Sequence, residues 1–115
     1  MLNNITLQGR FTAEPIGKMT KNNTPMVSFT LACERDFQKA TDFFSCTAWR
    51  QTAEFIGNNF HKGQMAVVNG RLQNKDWEDR DGNKRTTAEI VVERIYFCEK
   101  KQQFTEIADD EDVPF

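Results

Sequence analysis

The side chains in this sequence best suited to chemistry are a tryptophan and the cations that precede it. Arg71, Lys75 and Trp77 share one face of a stretch whose other face is small or apolar. An aromatic ring can stack on a nucleotide base, and a cation can neutralise a phosphate. The pattern therefore predicts a nucleic-acid-binding hairpin, although an ordinary amphipathic hairpin whose tryptophan caps the edge of a core explains this stretch equally well.

Two strands and a polar turn are expected to position these side chains. Between residues 65 and 75, Ala66, Val68, Gly70 and Leu72 alternate with polar residues, which is the period of a strand with one buried face. Residues 79–83 supply turn chemistry, and residues 85–92 return with alternate apolar residues.

The rest of the chain reads as three strands, one helix and a short final segment. We expect a loop at residues 12–25, which contain three of the residues that interrupt strands, Pro15, Gly17 and Pro25. The remaining predicted elements are strands at residues 3–11, 26–34 and 43–49, a helix at residues 52–60 and a short edge segment at residues 95–97.

This order of elements predicts an all-β fold. Three strands, a helix and two further strands match a five-stranded Greek-key barrel of the oligonucleotide- and oligosaccharide-binding (OB) type, with one short helix between strands 3 and 4. Gly9 predicts a bulge or sharp bend in the first strand. Phe55, Ile56 and Phe60 are assigned to the core, because helical spacing puts them on one stripe.

Alternation also leaves aromatic rings outside the core. Phe43 and Trp49 lie at the two ends of a half-polar face, beside a polar connection that contains Phe37. With Trp77, these rings are hard to bury in one small core.

Charge separates the body of the chain from its end. Residues 106–115 carry five acids and no base, whereas residues 1–105 carry 12 acids and all 15 bases. A basic body favours a polyanionic partner, and an acidic terminus is typical of a disordered segment that recruits other proteins.

Cysteine, histidine and hydropathy patterns favour a cytoplasmic protein without a cofactor. Cys33, Cys46 and Cys98 lack paired spacing, which argues against a zinc site or disulfides, and His61 has no partner at a recognisable spacing. No apolar run approaches the roughly 20 residues that span a bilayer, and the N-terminus lacks a signal-peptide pattern.

Several stretches together resemble the bacterial and phage single-stranded DNA-binding (SSB) proteins over essentially the whole chain. They are residues 4–10, Lys62-Gly63, Gly70-Arg71-Leu72, Lys75-Asp76-Trp77, residues 87–92 and the terminal Asp109-Asp110-Glu111-Asp112-Val113-Pro114-Phe115. Residues 100–105 stand in place of the family's usual long linker, which is compatible with a compact or phage-encoded variant.

The resemblance implies a set of functional residues. The base-stacking aromatics fall on Phe37, Phe43, Trp49 and Trp77, with Phe37 and Phe43 standing where many members have tryptophan. The tip Asp109, Asp110, Glu111, Asp112, Val113, Pro114 and Phe115 would recruit partner proteins. The family's fold also implies a homotetramer around which single-stranded DNA wraps.

The cations that could follow a DNA backbone are spread over the whole body. They are Arg10, Lys18, Lys21, Arg35, Lys39, Arg50, Lys62, Arg71, Lys75, Lys84 and Arg85, among which Arg71, Lys75 and Arg85 are favoured because alternation puts them on the face that bears Trp77.

The sequence thus predicts an OB-fold domain at residues 1–99 that binds single-stranded DNA without sequence preference, and a short linker and recruiting tail at residues 100–115. Its expected setting is DNA replication, recombination and repair in the cytoplasm, associated with the nucleoid, or in the host cytoplasm if the chain is phage-encoded. An OB-fold adaptor with weak DNA binding is the alternative.

A barrel-fold nuclease is a rival from another class. It would need clustered acids for a metal, and the only dense group is Asp76, Glu78, Asp79 and Asp81. These acids alternate with Trp77, Arg80 and Gly82 in a turn, which better fits a solvated loop.

Overall fold

The computed structural model describes residues 1–98, which form six strands and one helix. In chain order they are β1 (Ile5–Phe11), β2 (Ile16–Met19), β3 (Pro25–Glu34), β4 (Thr41–Trp49), α1 (Arg50–Asn59), β5 (Met65–Glu78) and β6 (Lys84–Phe97). The predicted all-β architecture is confirmed, with the helix between the third and fourth of the five predicted strands. The predicted linker and acidic tail, residues 100–115, lie outside the described residues, and so does the last residue of the predicted domain, residue 99.

One closed sheet contains every strand. The strand order is β1-β5-β6-β4-β3-β2, and β1 also pairs with β3, which closes the barrel. All pairs are antiparallel except β4 with β6. Strand β1 pairs with β5 up to Arg10 and with β3 from Arg10 onward. This one strand therefore connects the two sides of the sheet.

Strand β2 corrects the sequence prediction for residues 12–25. Ile16–Met19 pairs with Ser28–Pro25 of β3, within a stretch that was predicted to be a loop. All four residues of β2 are exposed, so the strand has no apolar alternation that the sequence could have revealed. Backbone pairing along the edge of β3 is what holds it.

The core is filled by the apolar faces that alternation predicted. Val27, Phe29 and Leu31 of β3 are buried, as are Cys46 and Ala48 of β4. Each large apolar side chain buried in this way stabilises the fold by about 1.5–3 kcal/mol.

Four phenylalanines from different elements form a stacked column through the core. The ring centroids of Phe11 and Phe29 are 4.6 Å apart, those of Phe11 and Phe60 5.3 Å apart, and those of Phe60 and Phe97 4.5 Å apart. The column ties β1 and β3 to the end of the helix and to β6.

Helix α1 closes one end of the barrel. Ala53, Ile56 and Phe60 are buried, as the helical spacing predicted for the last two. Phe55, which was also assigned to the core, is 42% exposed, and its ring packs in edge-to-face geometry against Phe60 and Phe97. The helical stripe is therefore narrower than predicted.

Strands β5 and β6 continue far beyond the barrel. They pair from Ala66–Phe97 to Glu78–Lys84, but every residue of β5 from Arg71 onward is exposed. We call residues 71–88, with the turn at residues 79–83, the β5–β6 arm. Leu72, predicted to face inward, lies in this arm and is 45% exposed. Residues 95–97, predicted to be a separate edge segment, are the end of β6 itself.

Two glycines permit close backbone contacts where the barrel bends. A Cβ at Gly70 would lie 1.9 Å from the carbonyl oxygen of Val91, beside the register shift between β5 and β6. A Cβ at Gly9 would lie 2.7 Å from the carbonyl oxygen of Ala32. The pairing of β1 with β5 runs without a register shift through Gly9, which contradicts the bulge but not the sharp bend that was predicted as its alternative.

The part of the chain that the structure describes contains no helix long and apolar enough to cross a membrane.

Candidate nucleic-acid interface

The outer face of the sheet carries the predicted aromatics in a regular arrangement. On β4, Phe43, Ser45, Thr47 and Trp49 share one face, with the two rings at its ends. The residues that alternate with them point into the core. Direct cross-strand pairing puts Ser28 beside Thr47 and Thr30 beside Ser45. Four hydroxyl groups therefore lie on the sheet between two exposed aromatic rings.

A groove of about 500 Å³ crosses this hydroxyl-bearing face. We call it the central groove. One wall is the β1–β2 loop with Ile16, the floor belongs to β3 and β4, and the other wall is the β5–β6 arm, which contributes Lys75 and Trp77. The groove thus brings together a stacking ring, a cation and uncharged polar groups, which is what binding of a nucleotide requires.

Trp77 is 43% exposed on the arm. It pairs directly across the arm with Arg85, and the arm is further held by a hydrogen bond from the Thr86 hydroxyl to Asp76, 2.8 Å long. Within residues 1–98 no other aromatic ring stacks on Trp77. The accessible part of its indole is therefore free to stack on a ligand.

Phe43 and Trp49 also lie outside the core, with 65% and 41% of their surfaces exposed. Trp49 is paired with Met26 of β3, and Phe43 with Ala32. Neither ring lines the central groove, so they lie on the sheet face beyond it rather than next to Trp77.

Folding alone does not explain why a phenylalanine stands at Phe37. Its side chain is fully exposed, and its backbone has a φ of +63° in the connection between β3 and β4. A left-handed backbone at a residue other than glycine costs roughly 1–2 kcal/mol. Since the ring recovers none of this through burial, an intermolecular use is the simpler explanation for it.

The predicted cations fall into two groups. Three arginines have acidic partners: Arg35 makes a bidentate pair with Asp42 at 2.9 Å, Arg85 contacts Asp79 at 3.0 Å, and Arg71 lies 4.0 Å from Glu93. A phosphate would have to compete with these carboxylates. The structure therefore weakens the preference that alternation gave to Arg71 and Arg85.

The remaining predicted cations lie around the barrel. Lys75 alone of the predicted set lines the central groove. The guanidinium of Arg10 donates a hydrogen bond to the carbonyl of Gly63, 2.9 Å long, on a different hollow of the surface. The others lie on the β2 hairpin, the β3–β4 connection, the start of the helix, the loop after it and the arm, at Lys18, Lys21, Lys39, Arg50, Lys62 and Lys84.

Sequence reasoning missed the polar lining of the groove. Ser28, Thr30, Ser45 and Thr47 line it, as does Glu89 of β6. The hydroxyls follow directly from alternation on β3 and β4, so the sequence contained their signal. The place of Glu89 could not be read in this way, because it depends on the parallel pairing of β4 with β6.

Asp79 holds the turn of the arm. Asp79 accepts hydrogen bonds from the backbone N–H groups of Asp81 and Asn83, and its other oxygen bonds Arg85. The backbone bond from Asn83 contributes most to lowering the pKa of Asp79. Among residues 1–98 no three His, Cys, Asp or Glu side chains are grouped as metal ligands. Of the four acids considered for a nuclease, Asp79 is held by the turn and Asp76 accepts the hydrogen bond from Thr86.

Two further carboxylates fix the loops that border the sheet face. Glu14 accepts a hydrogen bond from the backbone N–H of Lys62 at 2.9 Å and lies 3.0 Å from Nδ1 of His61, and both contacts lower its pKa, the backbone bond more. The pair with Arg35 likewise lowers the pKa of Asp42. Glu14 thereby attaches the β1–β2 loop to the loop after the helix, which fixes one wall of the groove.

The cysteines behave as structural residues. Burial raises the pKa of the Cys46 thiol to about 12, so it stays protonated at neutral pH. Burial also raises the pKa of Cys33. Cys33 and Cys46 are free thiols.

Fold and site together define a class. The closed Greek-key barrel, with a grooved outer face between the β1–β2 loop and the β5–β6 arm, is an OB fold. The sequence profile of the single-strand binding protein family matches residues 2–98, and the chain belongs to this family. The family consists of DNA-binding proteins rather than enzymes.

Individual relatives cover most of the chain. It is 36% identical over 109 residues to a single-stranded DNA-binding protein of Caldanaerobacter subterraneus subsp. tengcongensis, covering 90% of this chain and 73% of the relative. It is 37% identical over 111 residues to single-stranded DNA-binding protein 2 of Listeria monocytogenes, covering 92% and 69%. It is 37% identical over 106 residues to single-stranded DNA-binding protein A of Bacillus subtilis, covering 88% and 62%.

Proposed function

We propose that this protein binds single-stranded DNA with little dependence on sequence. The observation that carries the proposal is that four aromatic side chains remain exposed outside the core. Trp77 lines the groove with Lys75, whereas the other three lie beyond it, on the sheet face and in the β3–β4 connection. The names of the three relatives agree with it. Every base offers a ring face, so stacking tolerates any sequence.

Stacking would supply most of the affinity. Each base stacked on an aromatic ring contributes about 1–3 kcal/mol, so Trp77, Trp49, Phe43 and Phe37 together could account for tight binding. Duplex DNA keeps its bases stacked on one another and cannot use these rings. The same surface therefore favours single strands over duplex.

The cations would follow the DNA backbone between the stacking positions. Lys75 is best placed, because it shares the groove with Trp77 and has no carboxylate within ion-pair distance among residues 1–98. Arg35, Arg71 and Arg85 would exchange an acidic partner for a phosphate. This exchange makes their contribution smaller than that of an unpaired cation.

We further propose that the protein acts by coating and protecting single-stranded DNA during replication, recombination and repair. Membership of the family supports this role, a homotetrameric assembly and a cytoplasmic location associated with DNA. Comparing the mass in solution by light scattering with that of a 115-residue chain tests the assembly. A monomer would contradict it.

The acidic terminus is proposed to recruit other proteins. Its acids favour solvent, while Val113, Pro114 and Phe115 are apolar residues at a chain end. Phe115 would enter an apolar pocket on a replication or repair protein, and Asp109–Asp112 would meet basic residues around it. Deleting residues 109–115 should abolish capture of such proteins while poly-dT binding stays equal or becomes slightly tighter. Retention of those partners after removal of Phe115 alone would contradict this role.

An adaptor that has lost strong DNA binding remains the second candidate. It predicts partner capture through the tail but weak binding to any DNA. Fluorescence anisotropy of a labelled oligo-dT, with unlabelled single strands or unlabelled duplex as competitor, distinguishes the adaptor from the proposed function. Displacement of oligo-dT by single strands but not by duplex supports the proposed function, and weak binding to both favours the adaptor.

A further inference from the structure

Thr47 is the one side chain with an unsatisfied buried polar atom in the part of the chain that the structure describes. Only 5% of the residue is exposed, and its Oγ1 has no hydrogen-bond partner. It lies on the floor of the central groove, between Ser28 on β3 and Val91 on β6. The hydroxyl is therefore not used by the fold.

Stability alone does not explain a threonine at this position. A buried hydroxyl without a partner costs about 1–3 kcal/mol, whereas valine has the same shape and no such cost. Rotation about χ1 carries the threonine hydroxyl to another staggered position, so Oγ1 can turn toward the groove while the backbone stays in place. A ligand atom in the groove would then satisfy it.

Glu89 indicates which part of a nucleotide occupies this position. Its side chain is half-buried, lines the same groove and has no ion pair or hydrogen bond within residues 1–98. The carboxylate of Glu14, a residue of the opposite wall, is held by Lys62 and His61. The carboxylate of Glu89 repels a phosphate, while Lys75 at the arm attracts one. The floor is therefore suited to the edge of a base, with the backbone on the side of the arm.

We propose that Thr47 and Glu89 form a base-reading position on an otherwise sequence-tolerant surface, and that this position favours a base with an exocyclic amino group. A carboxylate accepts a hydrogen bond from N4 of cytosine but repels the carbonyl oxygen at the same place in uracil or thymine. The base would stack on Trp77 while its edge points to the floor. This inference rests on the proposed binding of single-stranded DNA.

Oligo-dC and oligo-dU of equal length test the role of Glu89, because their bases differ only in the amino or carbonyl group at position 4 and the protonation of N3. The substitution Glu89→Met removes the carboxylate that accepts the hydrogen bond. It should lower the ratio of dC affinity to dU affinity about fivefold or more. The matched control is Glu54→Met on the exposed side of the helix, outside the groove. It removes the same charge and should leave the ratio as in the wild type.

Thr47→Val tests the hydroxyl. The unliganded variant should melt at the same temperature as the wild type or above it, while the affinity for both oligomers falls, because the hydroxyl can accept from an amino group or donate to a carbonyl. A merely structural threonine would leave both affinities unchanged.

The outcomes separate this inference from the proposed function. If the wild type binds both oligomers tightly and the ratio is the same in Glu89→Met as in the wild type, the base-reading position is refuted and single-strand binding stands. If the wild type binds neither oligomer better than duplex, both proposals fail.

Discussion

Trp77 is the residue whose removal should weaken binding most cleanly. Trp77→Ala deletes a ring that is exposed in the central groove and should reduce the affinity for oligo-dT by about 1–3 kcal/mol. Because the ring is not part of the core, the free energy of unfolding should change by less than about 1 kcal/mol.

Leu72→Ala is the matched control for Trp77→Ala. Leu72 lies on the same strand with similar exposure but outside the groove, and its loss should leave the affinity unchanged. Equal effects of the two changes in a titration would show that Trp77 is not a stacking residue.

A substitution at Phe37 should weaken DNA binding without destabilising the fold. Phe37→Asn places a residue that tolerates a left-handed backbone at φ +63°. The variant should be as stable as the wild type or up to about 1 kcal/mol more stable, because backbone strain is relieved. Its affinity for oligo-dT should fall by about 1 kcal/mol or more. Chemical denaturation and titration of the same sample check both; a destabilised variant with full affinity would contradict this account.

At the level of single residues, alternation predicted exposure well and polar partners poorly. Phe43, Trp49 and Trp77 are exposed, as the period of β4 and β5 required. The ion pair between Arg71 and Glu93 was not predictable, because it depends on the register of β5 with β6. The assignment of these rings to base stacking stays a prediction.

The β5–β6 arm depends on the close contact at Gly70. Gly70→Ala would place a Cβ 1.9 Å from a backbone oxygen that cannot move aside without breaking the pairing. We expect a loss of about 1–3 kcal/mol or more in the free energy of unfolding, measured by denaturant titration.

Gly17→Ala provides the comparison within a strand. The nearest atom to a Cβ at Gly17 is 3.9 Å away, so this variant should unfold within about 1 kcal/mol of the wild type. If Gly70→Ala were equally well tolerated, the described approach of β5 to β6 would be wrong.

At the level of elements, the sequence predicted a helix or strand wherever one face is buried, because burial gives the apolar residues a regular spacing. The helix and the strands around the core were predicted to within a few residues of their observed bounds. Strand β2 was missed because all its residues are exposed and only backbone bonds define it. The hairpin that forms the arm was predicted, with its turn at residues 79–83, but its inward face was not observed, since every residue of β5 from Arg71 onward is exposed.

For the whole molecule, a basic body predicts binding that weakens moderately with salt. The logarithm of affinity should fall with the logarithm of salt concentration at about 0.7 per phosphate neutralised on a single strand. Lys75→Gln should reduce this slope by about that amount, because Lys75 is the predicted cation in the groove.

Arg94→Gln removes the same charge from the far end of β6, outside the groove. It should leave the slope unchanged. A slope near zero in the wild type would exclude tracking of the DNA backbone by these cations.

The overall architecture was predictable from the order of elements, while the outward aromatics and the distribution of charge indicated a nucleic-acid partner. The closure of the barrel was not derivable from any one strand, since it arises from the double pairing of β1 with β5 and β3. The same closure sets β3 and β4 opposite the arm and so creates the groove.

The central claim is that this surface stacks unpaired bases, and the intrinsic fluorescence of the protein tests it most directly. Both tryptophans of the chain, Trp49 and Trp77, are exposed on the proposed surface, so no label is needed. Titration with poly-dT should strongly quench this fluorescence, while duplex DNA of equal nucleotide concentration should leave it nearly unchanged. Equal quenching by the two, or quenching by neither, would contradict the account.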